Sequence, residues 1–135
     1  MKAERLGLVL LDAMPDDDRA FDAAQLERWD HEVQLCSGPE VKTLCPLLGG
    51  EGCPKFDAAH GIIFKLDLDR PQHRAILRRY RDSARDDLPI RVLCTPEQAE
   101  RYSAWLTDVE IWDHEPTTAD LEGFSAEVEA ADRFL

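Results

Sequence analysis

The chain has 135 residues, the usual size of one domain, and we expect a single domain over residues 1–135. Its formal net charge of −12, from 28 acidic and 16 basic side chains, would repel a nucleic-acid backbone and an anionic lipid surface alike. The composition therefore argues against direct binding to nucleic acid or to a membrane.

The first predicted element is a strand over residues 6–11, where the sequence LGLVLL is almost continuously apolar. This run is too short for a signal-peptide core or a membrane span, and we therefore expect a cytoplasmic protein. Residues 16–18, three aspartates, favour the start of a helix over residues 18–29, because negative charge stabilises the positive end of a helix dipole. The sequence HEVQLC over residues 31–36 predicts the second strand.

Residues 37–59 contain repeated glycine and proline and show neither helical nor strand periodicity. We predict a long loop that largely replaces the second helix of the alternating pattern. Connections of this length without regular structure are uncommon in compact domains and often carry function.

Strands and helices alternate over the rest of the chain. The predicted strands cover residues 61–69, 90–94 and 109–112. One predicted helix covers residues 70–85, a second begins after Thr95, and a third begins after Thr117 or Thr118. Five strands joined by helical crossovers predict an α/β domain of the doubly wound, flavodoxin-like type, with a parallel sheet in the order 2-1-3-4-5. Functional residues are expected beyond the carboxyl ends of the strands.

Two of these helices have specific sequence signals. Thr95, Pro96 and Gln98 fit an N-cap, a first helical position and a capping box. In the last helix the spacing predicts that three apolar side chains point inward: Leu121, Phe124 and Val128.

From Gly61 to the C-terminus, the order and spacing of the elements resemble the second half of a bacterial response-regulator receiver domain. The specific match is LDLDRP over residues 66–71. There Asp67 corresponds to the phosphoacceptor aspartate of receivers, and Pro71 to the proline four residues later. The resemblance covers nearly the whole chain and implies a receiver-like fold.

Other receiver positions differ in this chain. Cys94 stands where receivers have a switch serine or threonine, Glu115 stands at the lysine position, and only Asp12 remains of the two acids that hold magnesium. Phosphoryl transfer to a carboxylate needs a divalent cation and a cationic side chain, so we expect Asp67 to remain unphosphorylated. The interpretation is a pseudo-receiver with no catalytic residues, a signalling or interaction module that binds a protein partner.

The resemblance also favours a homodimer, because receivers commonly dimerise through the fourth and fifth strands and the last helix. We expect the dimer surface to include Trp105 and Trp112. Three histidines, His31, His60 and His73, are expected at surface or boundary positions without a functional role.

Four cysteines are predicted at or beyond the carboxyl edge of the sheet: Cys36, Cys45, Cys53 and Cys94. Three interpretations remain open: a zinc or iron–sulfur site formed by Cys45 and Cys53 with Cys36 or Cys94, a Cys45–Cys53 disulfide, and simple packing. The second and fourth strands are about 14 Å apart in the predicted order, so Cys36 and Cys94 cannot easily bind one metal ion together.

The alternative function is a small cofactor- or metal-binding redox protein or enzyme on the same fold. A flavin phosphate would need hydroxyl and amide donors in the first loop, but the sequence DAMPDDD supplies carboxylates there. The sequence also contains no GxSxG motif and no P-loop.

Overall fold

The structure, a computed structural model, describes residues 7–13, 20–29, 31–36, 59–83, 88–107 and 109–133. Its elements in chain order are β1 (Gly7–Ala13), α1 (Ala20–Arg28), β2 (His31–Cys36), β3 (Gly61–Lys65), α2 (Pro71–Ser83), β4 (Ile90–Leu93), α3 (Pro96–Arg101), a 3₁₀ turn (Ser103–Trp105), β5 (Glu110–Trp112) and α4 (Thr118–Arg133). The predicted loop over residues 37–59 lies outside the described residues, apart from the buried Ala59.

The five strands form one parallel sheet in the order β2-β1-β3-β4-β5. This order confirms the predicted α/β, doubly wound fold class. Because the chain passes from β1 to β2 on one side and then crosses to β3 on the other, the carboxyl ends of β1 and β3 flank the point where such folds place their sites.

Each face of the sheet carries its own apolar core. Along β3, Ile62 and Phe64 belong to the core beneath α2, whereas Ile63 belongs to the core beneath α1 and α4. Fully buried side chains from α4 fill the second core, as predicted: Leu121, Phe124 and Val128. The sheet is thus covered on both faces, as parallel sheets require.

The third strand is shorter than predicted, since β3 ends at Lys65 and not near residue 69. The backbone N–H of Asp67 donates to Nδ1 of His73 at 3.0 Å, and the backbone N–H of Asp69 donates to the Asp67 carboxylate at 3.0 Å. These local bonds replace the bonds of a strand ladder and turn the chain towards α2.

The helix starts predicted after Thr95 and after Thr117 or Thr118 have reciprocal caps. Gln98 N donates to Thr95 Oγ1 and Thr95 N donates to Gln98 Oε1, both at 3.1 Å, so the predicted capping box is confirmed. At α4, Asp120 N donates to Thr117 Oγ1 at 3.2 Å and Thr117 N donates to Asp120 Oδ2 at 3.0 Å. Thr117 therefore caps α4.

The expected surface positions of two histidines are wrong. His31 is fully buried with Nε2 2.6 Å from Ser125 Oγ, and His73 is buried through the contact with Asp67 described above. Hydrogen bonding offsets the cost of burying each imidazole. At the partly buried His60, Nδ1 accepts a bond from the Leu8 backbone N–H.

The predicted dimer surface needs a correction at Trp112. Its side chain is buried in the core and meets Phe124 edge-to-face, with ring centroids 6.3 Å apart. Trp105 is partly buried and packs against the core on the opposite face of the sheet.

Among the described residues, no helix has the length and apolar character needed to cross a membrane.

Candidate functional site

A cavity of about 350 Å³ opens at the carboxyl edge of the sheet. Its walls come from the chain that follows β3, β4 and β5, and they include Asp67, Cys94 and Glu115, together with Lys65 and Gln98. Three of the residues singled out by the receiver resemblance therefore lie together. The cavity lies at the carboxyl ends of the strands, the edge of the sheet at which folds of this type bind ligands.

A lysine that sequence reasoning missed lies in this cavity. The Lys65 side chain is 1% exposed, and its ammonium lies 3.1 Å from Oε2 of Glu115, whose side chain is 76% exposed. The ion pair connects the end of β3 to the segment after β5. The signal for Lys65 was present in the sequence, because a cationic residue interrupts the apolar run GIIFKL and must find a partner when buried.

The Asp67 carboxylate is already bonded to its neighbours. Oδ1 accepts the backbone N–H of Asp69 at 3.0 Å and the Gln98 amide at 3.2 Å, while Oδ2 lies 3.8 Å from the Arg70 guanidinium. Since Gln98 also belongs to the cap of α3, Asp67 connects the turn before α2 to the start of α3.

Asp12 lies deeper than the other receiver-equivalent residues. Its side chain is fully buried, and Oδ2 accepts a 2.6 Å hydrogen bond from the hydroxyl of Tyr80 on α2. In the sheet it is paired with Phe64, one residue before Lys65. A divalent cation would compete with the tyrosine hydroxyl for Oδ2 of this carboxylate.

Cys94 follows β4 and is buried. Burial and the nearby Asp113 carboxylate raise the pKa of the thiol, which lowers the fraction present as the reactive thiolate. Cys36 ends β2, three strand intervals or about 14 Å away. The other predicted metal ligands, Cys45 and Cys53, lie outside the described residues.

The part of the chain that the structure describes holds no group of three or more His, Cys, Asp or Glu placed to bind a metal ion. His114 lies at the rim of the cavity between two carboxylates, 2.9 Å from that of Asp113 and 3.0 Å from that of Asp120. Hydrogen bonds to these two groups raise the pKa of His114.

His73 makes the turn at Asp67 sensitive to pH. Burial, and secondarily the nearby Arg70, lower the pKa of His73, and a proton on Nδ1 would remove the acceptor of the Asp67 N–H. A group with a lowered folded-state pKa contributes stability above its unfolded pKa of about 6.5 and loses it as the pH falls through the folded value. The free energy of unfolding should therefore decrease as the pH drops below about 6.5.

Chemical denaturation at several pH values measures this contribution. The matched variant is His73→Asn, which keeps an acceptor near the Nδ1 position without a titrating group. The slope of stability against pH below about 6.5 should be smaller in His73→Asn than in the wild type. Equal slopes would show that His73 does not govern the turn.

No protein-family model and no curated protein matches this sequence. Among solved structures, the chain is similar to NtrX from Brucella abortus, crystallised in complex with ATP, with a TM-score of 0.64 and 12% sequence identity. The match covers 96% of this chain and 28% of the NtrX chain, so this chain corresponds to less than a third of that protein's length. The similarity and the strand order show a receiver-like fold.

Proposed function

We propose that this chain is a non-catalytic, receiver-like signalling module that works without phosphorylation and acts by binding a protein partner or a second copy of itself. The observation that carries this proposal is the Lys65–Glu115 ion pair in the cavity at the carboxyl edge of the sheet.

This pair differs from the arrangement that the receiver resemblance implies, because Glu115 stands at the lysine position and pairs with Lys65, two residues before Asp67. Receivers have the acid at the end of the third strand and the lysine after the fifth. In this chain Lys65 ends β3 and Glu115 follows β5. The pair can hold the end of β3 and the segment after β5 together without any modification of Asp67.

The charges around Asp67 also oppose a phosphoryl group. Three carboxylates line the cavity among the described residues, those of Asp67, Asp113 and Glu115. The ammonium of Lys65 is already paired with one of them. Like charges repel, so the carboxylates of Asp113 and Glu115 disfavour further negative charge at Asp67.

The carboxylates of Asp12 and Asp67, which would have to bind the cation, already accept hydrogen bonds from other groups. Asp12 is buried beneath Tyr80, and the Asp67 oxygens accept bonds from Asp69 N and Gln98. Binding magnesium would break several of these bonds before any phosphoryl group could be stabilised.

Magnesium with beryllofluoride, a non-covalent mimic of an acyl phosphate, tests this proposal. In NMR spectra of the full chain, the backbone amides of Asp67, Cys94 and Glu115 should not move. The matched control is Asp67→Asn, which should give the same unchanged spectrum. Shifts in the wild type that vanish in Asp67→Asn would contradict the proposal.

We also propose a cysteine site that binds a metal ion or forms a disulfide. Cys45 and Cys53 are its pair, and Cys36 or Cys94 is the third ligand of a metal ion. The separation of β2 and β4 supports the choice of one strand cysteine and not both.

We expect Cys45→Ser and Cys53→Ser to increase proteolysis within residues 37–59 while the sheet remains folded, because a metal ion or a disulfide would otherwise order this segment. Limited proteolysis with mass mapping of the wild type and of the two variants measures the effect. Equal cleavage of all variants, together with undetectable zinc and iron and four titratable thiols, would reduce the cysteines to packing residues.

A further inference from the structure

The two long helices carry opposite charge. Helix α2 contains four arginines and one aspartate, whereas α4 contains five acidic residues and one arginine. Because α2 and α4 cover opposite faces of the sheet, the protein has a basic face despite its net charge of −12. A local charge opposite to that of the whole molecule marks a candidate contact surface.

Aromatic rings hold the arginines of this face in place. The Arg74 guanidinium lies 4.6 Å from the ring centroid of Tyr102 and 5.9 Å from that of Trp105, and the Arg78 guanidinium lies 5.6 Å from that of Trp105. A guanidinium above a ring can still offer the N–H groups at its edge to a carboxylate. Stacking also restricts the side chain before a ligand arrives, which lowers the entropic cost of binding.

A groove of about 420 Å³ lies between α2 and the 3₁₀ turn, lined by Arg78, Arg81, Asp82, Ala104 and Trp105. Arg81 donates one bond at 2.8 Å to the Trp105 carbonyl, which fixes one wall. Arg78 is 67% exposed, and its 3.9 Å contact with the equally exposed Asp82 is too weak to occupy it.

We propose that this groove binds an acidic segment of a partner protein, with Arg78 as the principal contact and Trp105 as the surface beside it. Tryptophan and arginine are the residue types that contribute most to protein interfaces. A carboxylate matches the forked N–H donors of arginine. A nucleic acid fits less well, because the net charge of −12 repels a long run of phosphates. The inference rests on the proposed function and names the partner class and the surface.

An NMR titration with a short peptide of alternating glutamate and serine tests the proposal. The reporter is the Trp105 indole N–H, identified by its loss in Trp105→Phe. The peptide should shift this signal, and a glutamine–serine peptide should not. Arg78→Glu should weaken binding roughly tenfold or more. Arg79→Glu, the same charge change one position along α2 and outside the groove lining, should weaken it less than about threefold.

Four outcomes would overturn the inference. Three of them are an unmoved Trp105 signal in the wild type, equal losses in Arg78→Glu and Arg79→Glu, and tighter binding of an oligothymidine than of the peptide. A Trp105 shift that depends on protein concentration without peptide would assign the groove to a second copy and would also overturn it. The beryllofluoride experiment gives its result independently, so failure here is distinguishable from failure of the proposed function.

Discussion

Replacing Gly61 by alanine should lower the free energy of unfolding by about 2–3 kcal/mol, because the added methyl group has no space beneath α4. An ideal Cβ at this position would lie 2.5 Å from Val128 Cγ2 and 2.9 Å from Phe124 Cζ. Both neighbouring side chains are fully buried and cannot move into solvent. The substitution would push α4 away from the sheet.

Chemical denaturation of the full chain measures this effect, and Gly123→Ala is the matched control. Gly123 lies in α4, and an added Cβ meets no atom within 4 Å. Alanine there should stabilise the protein by about 0.5–1 kcal/mol, because alanine has the higher helix propensity. Similar stability changes in the two variants would mean that α4 does not pack on β3 at Gly61 as described.

Tyr80→Phe should destabilise the protein by about 2 kcal/mol, since the buried Asp12 oxygen would lose its 2.6 Å hydrogen bond from the tyrosine hydroxyl. Phenylalanine keeps the 6.5 Å edge-to-face contact between ring 80 and Phe64, so the measured change isolates the hydroxyl group.

The chain offers a matched control for this change in Tyr102→Phe. The Tyr102 hydroxyl donates to Asp69 at 2.9 Å, but this bond is exposed and water can replace it. Its loss should cost at most about 0.5 kcal/mol. Equal losses of stability in the two tyrosine variants would contradict a stabilising hydrogen bond between the Tyr80 hydroxyl and buried Asp12.

The fold was predictable because its signals are local. Buried strands appear as apolar runs, the capping box lies within four residues, and the periodicity of the last helix correctly placed Phe124 inward. The order of elements then allowed few topologies, since parallel strands need right-handed crossovers. The end of the third strand was less predictable, because the His73 imidazole that turns the chain belongs to the next helix.

The site was less predictable because its decisive contacts join distant residues. The Lys65–Glu115 pair spans 50 positions and the Tyr80–Asp12 bond spans 68. The resemblance placed Asp67, Cys94 and Glu115 in one region, but no local pattern indicates which cation pairs with Glu115. A buried ionisable residue in a strand, such as Lys65, was the one available clue.

The most direct test of the central claim is intact-mass measurement of the protein after incubation with acetyl phosphate and magnesium. We expect an unchanged mass, because Glu115 pairs with Lys65 and Asp12 is buried beneath Tyr80. A stable increase by the mass of one phosphoryl group that is absent from Asp67→Asn would contradict it.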